Sequence, residues 1–366
     1  MLINQPTELY ERRFFAVRGV QAGREYYLVN CPFYLLPEIF NDLDNTGIPP
    51  SQRAQRVINK TRVKAIEKYL LSNLNGYVFS AATVSIDGDI NFESTDGTSN
   101  VGLLIVKDRA QYIINDGQHR ISAIIDSLKE HRGHEYELLP IIFFNDPGLE
   151  MSQQIFTDLN RYTLKPAQSL NILYDTRDDF AKIARTVASD VSFFHDVIEF
   201  EKTTISNRSI KLFTLNGIYN ATKILLGKRN DSTKKNSSYA CDFWEKLGNE
   251  LNEWQEHFRG KLASSILRQN YLSGHNIFLN SAATIASAAG EAGIGTEEII
   301  SIVANEDWRR DNPLWEGRAL QNGKITKSNM SLMLTTNILK LRSNISLNER
   351  ESNAEQLYQQ KQRLLK

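Results

Sequence analysis

The chain has 366 residues, 41% hydrophobic and 23% charged, with 43 basic and 43 acidic side chains. That composition describes a globular chain with a real core, long enough for one large domain or two ordinary ones. The balanced charge excludes a global field that would gather nucleic acid or membrane, so any polyanion must be met by a local basic patch.

The amino terminus, MLINQPTELYERRFF, carries charges but no apolar core, and no secretory signal is expected there. No apolar run approaches the length needed to cross a bilayer. Cys31 and Cys241 are far apart and belong to no metal or redox spacing, which suits a reducing, cytoplasmic setting.

Two short strands are expected over residues 13–20 and 25–29, separated by QAG. A helix is expected over 52–74, with Val57, Val63, Ile66, Leu70 and Leu71 on an apolar stripe. Its start, RAQRVINKTRVK, is dense in bases, with no acid until Glu67. On one continuous helix Arg53, Arg56, Lys60 and Lys64 share a face that could track phosphates, while Arg62 could turn inward. A merely solvated helix face explains the same spacing.

Residues 77–86 read as a strand, and 101–106 and 111–115 as a hairpin across KDRA. A buried strand is expected over 138–145, stopped by Asp146-Pro147-Gly148. Beyond about residue 150 the pattern turns helical, with helices over 151–159, 177–189 and 215–226 and longer ones within 241–271 and 281–305. KRNDSTKKNSS (228–238) reads as a basic loop, and the chain after Arg342 has few anchors for a core, although 357–365 could continue as helix. The expectation is an α+β protein: a mixed-sheet domain over 1–170, a mainly helical domain over 171–342, and a tail over 343–366.

YIINDGQHRISAII (112–125) joins a buried strand to an amphipathic helix through five polar residues. Asp116 falls at or near the N-cap, Gly117 permits a positive φ, and Gln118, His119 and Arg120 occupy the first turn. First-turn amides, the helix dipole and a forked cation suit a phosphate. Asp116 would repel that phosphate unless a proton or Mg²⁺ intervened. A capped helix with a satisfied polar cluster remains open as the alternative.

These residues also resemble the DGQHR-domain family, and within it the DndB proteins of DNA sulfur modification. The resemblance rests on Asp116–Arg120, on FTDLNRYTLKP (156–166) and on DWRRDNPLWEGRALQNGKITKS (307–328). It implies an amino-terminal core similar to the ParB/sulfiredoxin fold, in which the equivalent turn handles nucleotide phosphates. It also implies a repressor that binds the promoter of a bacterial phosphorothioation gene cluster. ATP with Mg²⁺ would then bind at the turn through Gly117, Gln118, Arg120, Asn160 and Lys165. Asp116 and His119 would place a metal or water if hydrolysis occurs. Double-stranded DNA would meet Arg53, Arg56, Lys60, Arg62 and Lys64, with Arg208 and Lys211 of NRSIKLF as further contacts, and a homo-oligomer would suit two-fold DNA sites. An NTPase with DNA as effector, or a scaffold with a structural turn, is the alternative.

Other chemistry lacks its parts. HRGH (131–134) has no third metal ligand, and there is no P-loop, no GxSxG and no cysteine beside the turn. Trp308 and Trp315 flank Arg309 and Arg310, either as exposed stacking platforms or as buried locks on a loop.

Overall fold

Ala22 and Gly23 both adopt positive φ, 50° and 78°. That is the geometry a two-residue hairpin needs to match strand twist, and it joins β1 (Glu11–Gln21) to β2 (Arg24–Pro32). The computed structural model describes residues 11–40, 57–107, 110–145, 148–161 and 166–364. The chain divides into two compact units, Met1–Leu164 and Lys165–Lys366.

The first unit continues with α1 (Leu36–Ile39), α2 (Lys60–Leu71), β3 (Ala82–Asp87), β4 (Ile90–Ser94), β5 (Val101–Lys107), β6 (Gln111–Asp116), α3 (Gln118–Glu130), β7 (Leu138–Asn145) and α4 (Leu149–Arg161). Its strands form one mixed sheet in the order β4-β5-β1-β2-β7-β3-β6, with only β3 and β7 parallel. The expected 101–106/111–115 hairpin is therefore wrong. Both strands form, but β5 is hydrogen-bonded on its two edges by β1 and β4, and β6 pairs with β3 at the far end.

Two short links set the shape of this sheet. Gly88–Asp89 join β3 to β4, and residues 108–110 join β5 to β6. Links of two and three residues reach at most about 11 and 14 Å, whereas the strands they connect would lie about 24 Å apart in a flat sheet. The sheet must curl until its ends approach. Gly88 accordingly lies against Ala110 so closely that a Cβ would come within 2.6 Å of the Ala110 methyl. The core inside the curl is Phe14, Val29, Val84, Leu104, Ile141 and Phe143, closed by Ile121 and Ile124 of α3.

Helix α2 starts at Lys60, not at residue 52. Asn59 stands in extended conformation as N-cap and its Oδ1 accepts the Arg62 N–H. This cap ends the helix on its amino side, so the four-base face shrinks to Lys60 and Lys64. Arg53 and Arg56 lie outside the described residues.

The second unit is helical: α5 (Gln168–Tyr174), α6 (Asp179–Asp190), α7 (Leu215–Leu226), α8 (Thr233–Glu250), α9 (Asn252–Phe258), α10 (Ser264–Asn270), α11 (Asn276–Ala292), α12 (Thr296–Ala304), α13 (Asn329–Arg342) and α14 (Glu349–Leu364). Central α11 buries Phe278, Leu279, Ala282, Ala283, Ile285 and Ala286, and its alanines admit α7 closely. Half of the expected 228–238 loop is helix, because Ser232 caps α8 by accepting the Lys235 N–H. The stretch 241–271 breaks into α8, α9 and α10. After Arg342 the chain is anchored by α14, where buried Arg318 grips buried Glu355 through both carboxylate oxygens. Among the described residues no helix is long and apolar enough to cross a membrane. The α+β class is as the patterning predicts.

Candidate functional site

β6 delivers Asp116 to the end of the sheet, and Gly117 turns the chain into α3 with φ 104°. A Cβ there would meet Ala82 Cβ at 2.8 Å, so position and conformation both require glycine. Gly117, not Asp116, is the N-cap, and no side chain caps the helix. The Asp116 carboxylate instead accepts from Arg120 Nη2 at 2.8 Å, one helical turn on.

Arg120 makes two further bonds. Its Nη1 donates to Ser80 Oγ at 2.5 Å, and Nη2 also donates to the Ala81 carbonyl at 3.1 Å. Nε is buried without a partner. The guanidinium thus clamps the turn to the segment entering β3, with one bond from Nη1 and two from Nη2. Arg120, expected to hold phosphate, lines the pocket at the turn while bonded to Ser80, Ala81 and Asp116.

His119 Nε2 accepts the backbone N–H of Asn59 at 3.1 Å. An acceptor nitrogen carries no proton, so the ring proton sits on Nδ1 in this arrangement. The same Asn59 caps α2, so the amino end of α2 hangs on the imidazole of the turn. Asn115 fixes α4 from the other side: its Nδ2 donates to the Ser152 carbonyl and its Oδ1 accepts from Ser85 Oγ, both at 3.0 Å. Asn160 Nδ2 donates to the Phe156 carbonyl at 2.8 Å, which sets its amide on the last turn of α4.

These elements enclose a pocket of about 100 Å³ lined by Asp116–Arg120, Arg62 and Asn160, with Ile66, Ile114, Asn115 and Phe156 behind them. Sequence spacing could not settle whether Asn160 reaches His119; the structure puts them in one pocket. Asp116 and Arg120 neutralise each other. Arg62 has no hydrogen-bond or ion-pair partner for its side chain among the described residues, so it supplies the uncommitted positive charge. A pocket of this size falls below the usual range for whole cofactors, about 300–1,000 Å³, and suits a single phosphate group. Among the described lining residues Asp116 is the one carboxylate, and no cluster of three metal-ligating side chains occurs among the described residues. Mg²⁺ held by one carboxylate draws its remaining ligands from water and phosphate oxygens, and Asp116 could serve only in that way.

The other expected residues are dispersed. Lys165 lies outside the described residues. Lys60 is exposed at the start of α2. Lys64 is ion-paired to buried Glu67 at 2.7 Å, and that hydrogen bond raises the lysine pKa; its charge is matched internally. Arg208 and Lys211 belong to the second unit, where Lys211 Nζ donates to the Asp196 carbonyl at 2.9 Å and Arg208 is exposed. Trp308 and Trp315 are buried, stacked at 4.6 Å with 5° between their planes, and each donates its indole N–H to a backbone carbonyl. They lock the loop and present no face for stacking on bases. His134 bonds Ser127 inside the first unit and stacks on His131, without a metal-binding set around it.

Sequence reasoning missed Ser80, Asn115 and Ser152. The one available signal was an asparagine inside an otherwise apolar strand, YIIN, since a buried amide must find partners.

The chain matches the DndB family, described as DNA-sulfur modification-associated, over residues 14–346. No curated protein and no solved structure matches it.

Proposed function

This chain belongs to the DndB family, whose members are associated with DNA sulfur modification, and from that premise we propose that it is a DNA-binding repressor of the phosphorothioation gene cluster, controlled by a phosphate group at the DGQHR turn. One observation carries the control element: the turn, Arg62 of α2 and Asn160 of α4 share a single phosphate-sized pocket, where Arg62 is the cation left uncommitted among the described residues. The terminal phosphate of a nucleotide would enter against Arg62 and the start of α3, and bound Mg²⁺ would add positive charge beside Asp116. The bond from Asn59 to His119 links this pocket to the amino end of α2. Lys60 then lies on a DNA-facing edge whose position follows the state of the turn.

A ligand shifts DNA affinity only through its differential binding to two states, and linkage makes the effect reciprocal. Gel shifts with the promoter of the modification genes, with and without ATP and Mg²⁺, test this directly. Sequence-specific binding altered by ATP, with the alteration lost in Arg62→Ala, is the expected result. Hydrolysis of ATP without specific promoter binding would replace the repressor with an NTPase for which DNA is an effector. No binding of either would leave a scaffold.

A further inference from the structure

The second unit contains a cavity of about 950 Å³ whose described lining includes Arg268, Arg310, Lys327 and His275 and no aspartate or glutamate. Three helices of 12, 17 and 14 residues open on it at their amino ends: α7 through Thr214 and Asn216, α11 through His275 and Asn276, and α13 through Ser328 and Asn329. Their dipoles all favour an anion there. No side chain caps α11.

A second observation points the same way and does not depend on the helix ends. Arg268 is only 8% exposed, yet it has no carboxylate partner among the described residues. Its guanidinium donates to the carbonyls of Lys211, Ser206, Asn207 and Ser209. Carbonyls satisfy the N–H groups but leave the buried charge uncompensated, which is costly in a low-dielectric setting. Arg310, half-buried, likewise donates to the carbonyls of Arg268, Gln269 and Gly323 and to no acid among the described residues. His275 donates from Nε2 to the Arg268 carbonyl at 2.7 Å, beneath the same cations. Asn280 Oδ1 is buried in the lining with no partner.

We infer that this cavity is a binding site for a free nucleoside phosphate. The cations and helix ends take the phosphate, and the amide- and hydroxyl-rich walls with Ile205, Leu212, Ile277 and Leu332 take the nucleoside. The volume lies at the upper end of what such ligands occupy. The site goes beyond the phosphate pocket at the DGQHR turn and does not rest on it.

The test is titration of the intact protein with ATP, AMP and inorganic phosphate, and with a short DNA duplex, followed calorimetrically. Lys327→Glu reverses an exposed charge that holds no bond among the described residues; Arg310→Gln removes a cation and keeps most of the side chain. Each is expected to weaken ATP and AMP binding about tenfold or more, the worth of one charge-assisted contact, with an unchanged melting curve for Lys327→Glu. Arg62→Ala removes the cation of the turn pocket, so the nucleotide that this variant still binds is expected to be the one held in this cavity, and to be lost when Lys327→Glu is added. The proposal is overturned if the native protein binds neither nucleotide, or if Lys327→Glu binds ATP at full strength. It is also overturned if Arg62→Ala alone abolishes nucleotide binding, which would place the nucleotide at the turn. Sensitivity of duplex binding, but not of nucleotide binding, to Lys327→Glu would make the cavity part of a DNA surface instead.

Discussion

Replacing Arg120 with alanine removes three hydrogen bonds at once, to Ser80, Ala81 and Asp116. Ser80 is exposed and the Asp116 side chain is half exposed, so both acceptors can turn to water. The Ala81 carbonyl is partly buried and has less opportunity. Bonds to a charged donor are worth about 1.5–3 kcal/mol when sequestered and nearer 1 when solvent competes. The expected loss is therefore about 2–3 kcal/mol, against burial of an unpartnered Nε that the substitution relieves. Urea unfolding by circular dichroism measures it. All four tryptophans lie in the second unit, so a loss that circular dichroism sees and tryptophan emission does not belongs to the first. If Arg120→Ala unfolds like the native protein while ATP no longer affects promoter binding, Arg120 touches the ligand and the bracing role is wrong.

Gly117→Ala forces a side chain onto a backbone at φ 104° and against Ala82, and should cost about 2 kcal/mol or more by the same unfolding assay. Arg318→Met leaves Glu355 buried and unpaired and should cost about 3–5 kcal/mol in a tryptophan-detected melt, with the pair Arg318→Met, Glu355→Leu recovering most of it. Burial, with the charges of Arg310, Arg268 and Lys327, holds the His275 pKa down to about 4 against 6.5 for the free side chain. The unfolded chain therefore takes up this proton first, and stability is full above pH 6.5 and lost as pH falls towards 4. Between pH 7 and pH 5 the native protein should lose about 2 kcal/mol more than His275→Gln; equal losses would show that His275 is not the group responsible.

Local pattern revealed local structure well. The expected helix over 215–226 matches α7 residue for residue, because Thr214 caps it and Gly227 ends it. Strand-like runs bounded by turn residues located β1, β2 and β7, and the polar turn after YIIN pointed to the pocket. Pairing was less visible. β5 and β6 look like a hairpin because three residues separate them, and only the curl of the whole sheet explains how neighbours in sequence avoid each other. The clamp on Arg120 comes from Ser80 and Ala81, some forty residues upstream, and no spacing rule connects them. The start of α2 was misjudged because Val57 and Ile58 extend its apolar pattern backwards, while the cap at Asn59 overrules it. The cation cluster of the second unit was not legible because Arg268 and Arg310 are far apart in sequence, and Arg268 resembles ordinary surface charge until its burial is known.

β7 is the sole strand that pairs with both β2 and β3, and it follows the DGQHR turn in the chain. A ribosome that has released residues only up to 137 has made two separate pieces, β4-β5-β1-β2 and β3-β6, tied by short links but sharing no hydrogen-bonded edge. The last strand to arrive is the keystone, and α4 with Asn160 comes later still. Folding of this unit must wait for distant contacts, as chains of high contact order do, and nascent chains stopped before Leu138 should be protease-sensitive throughout.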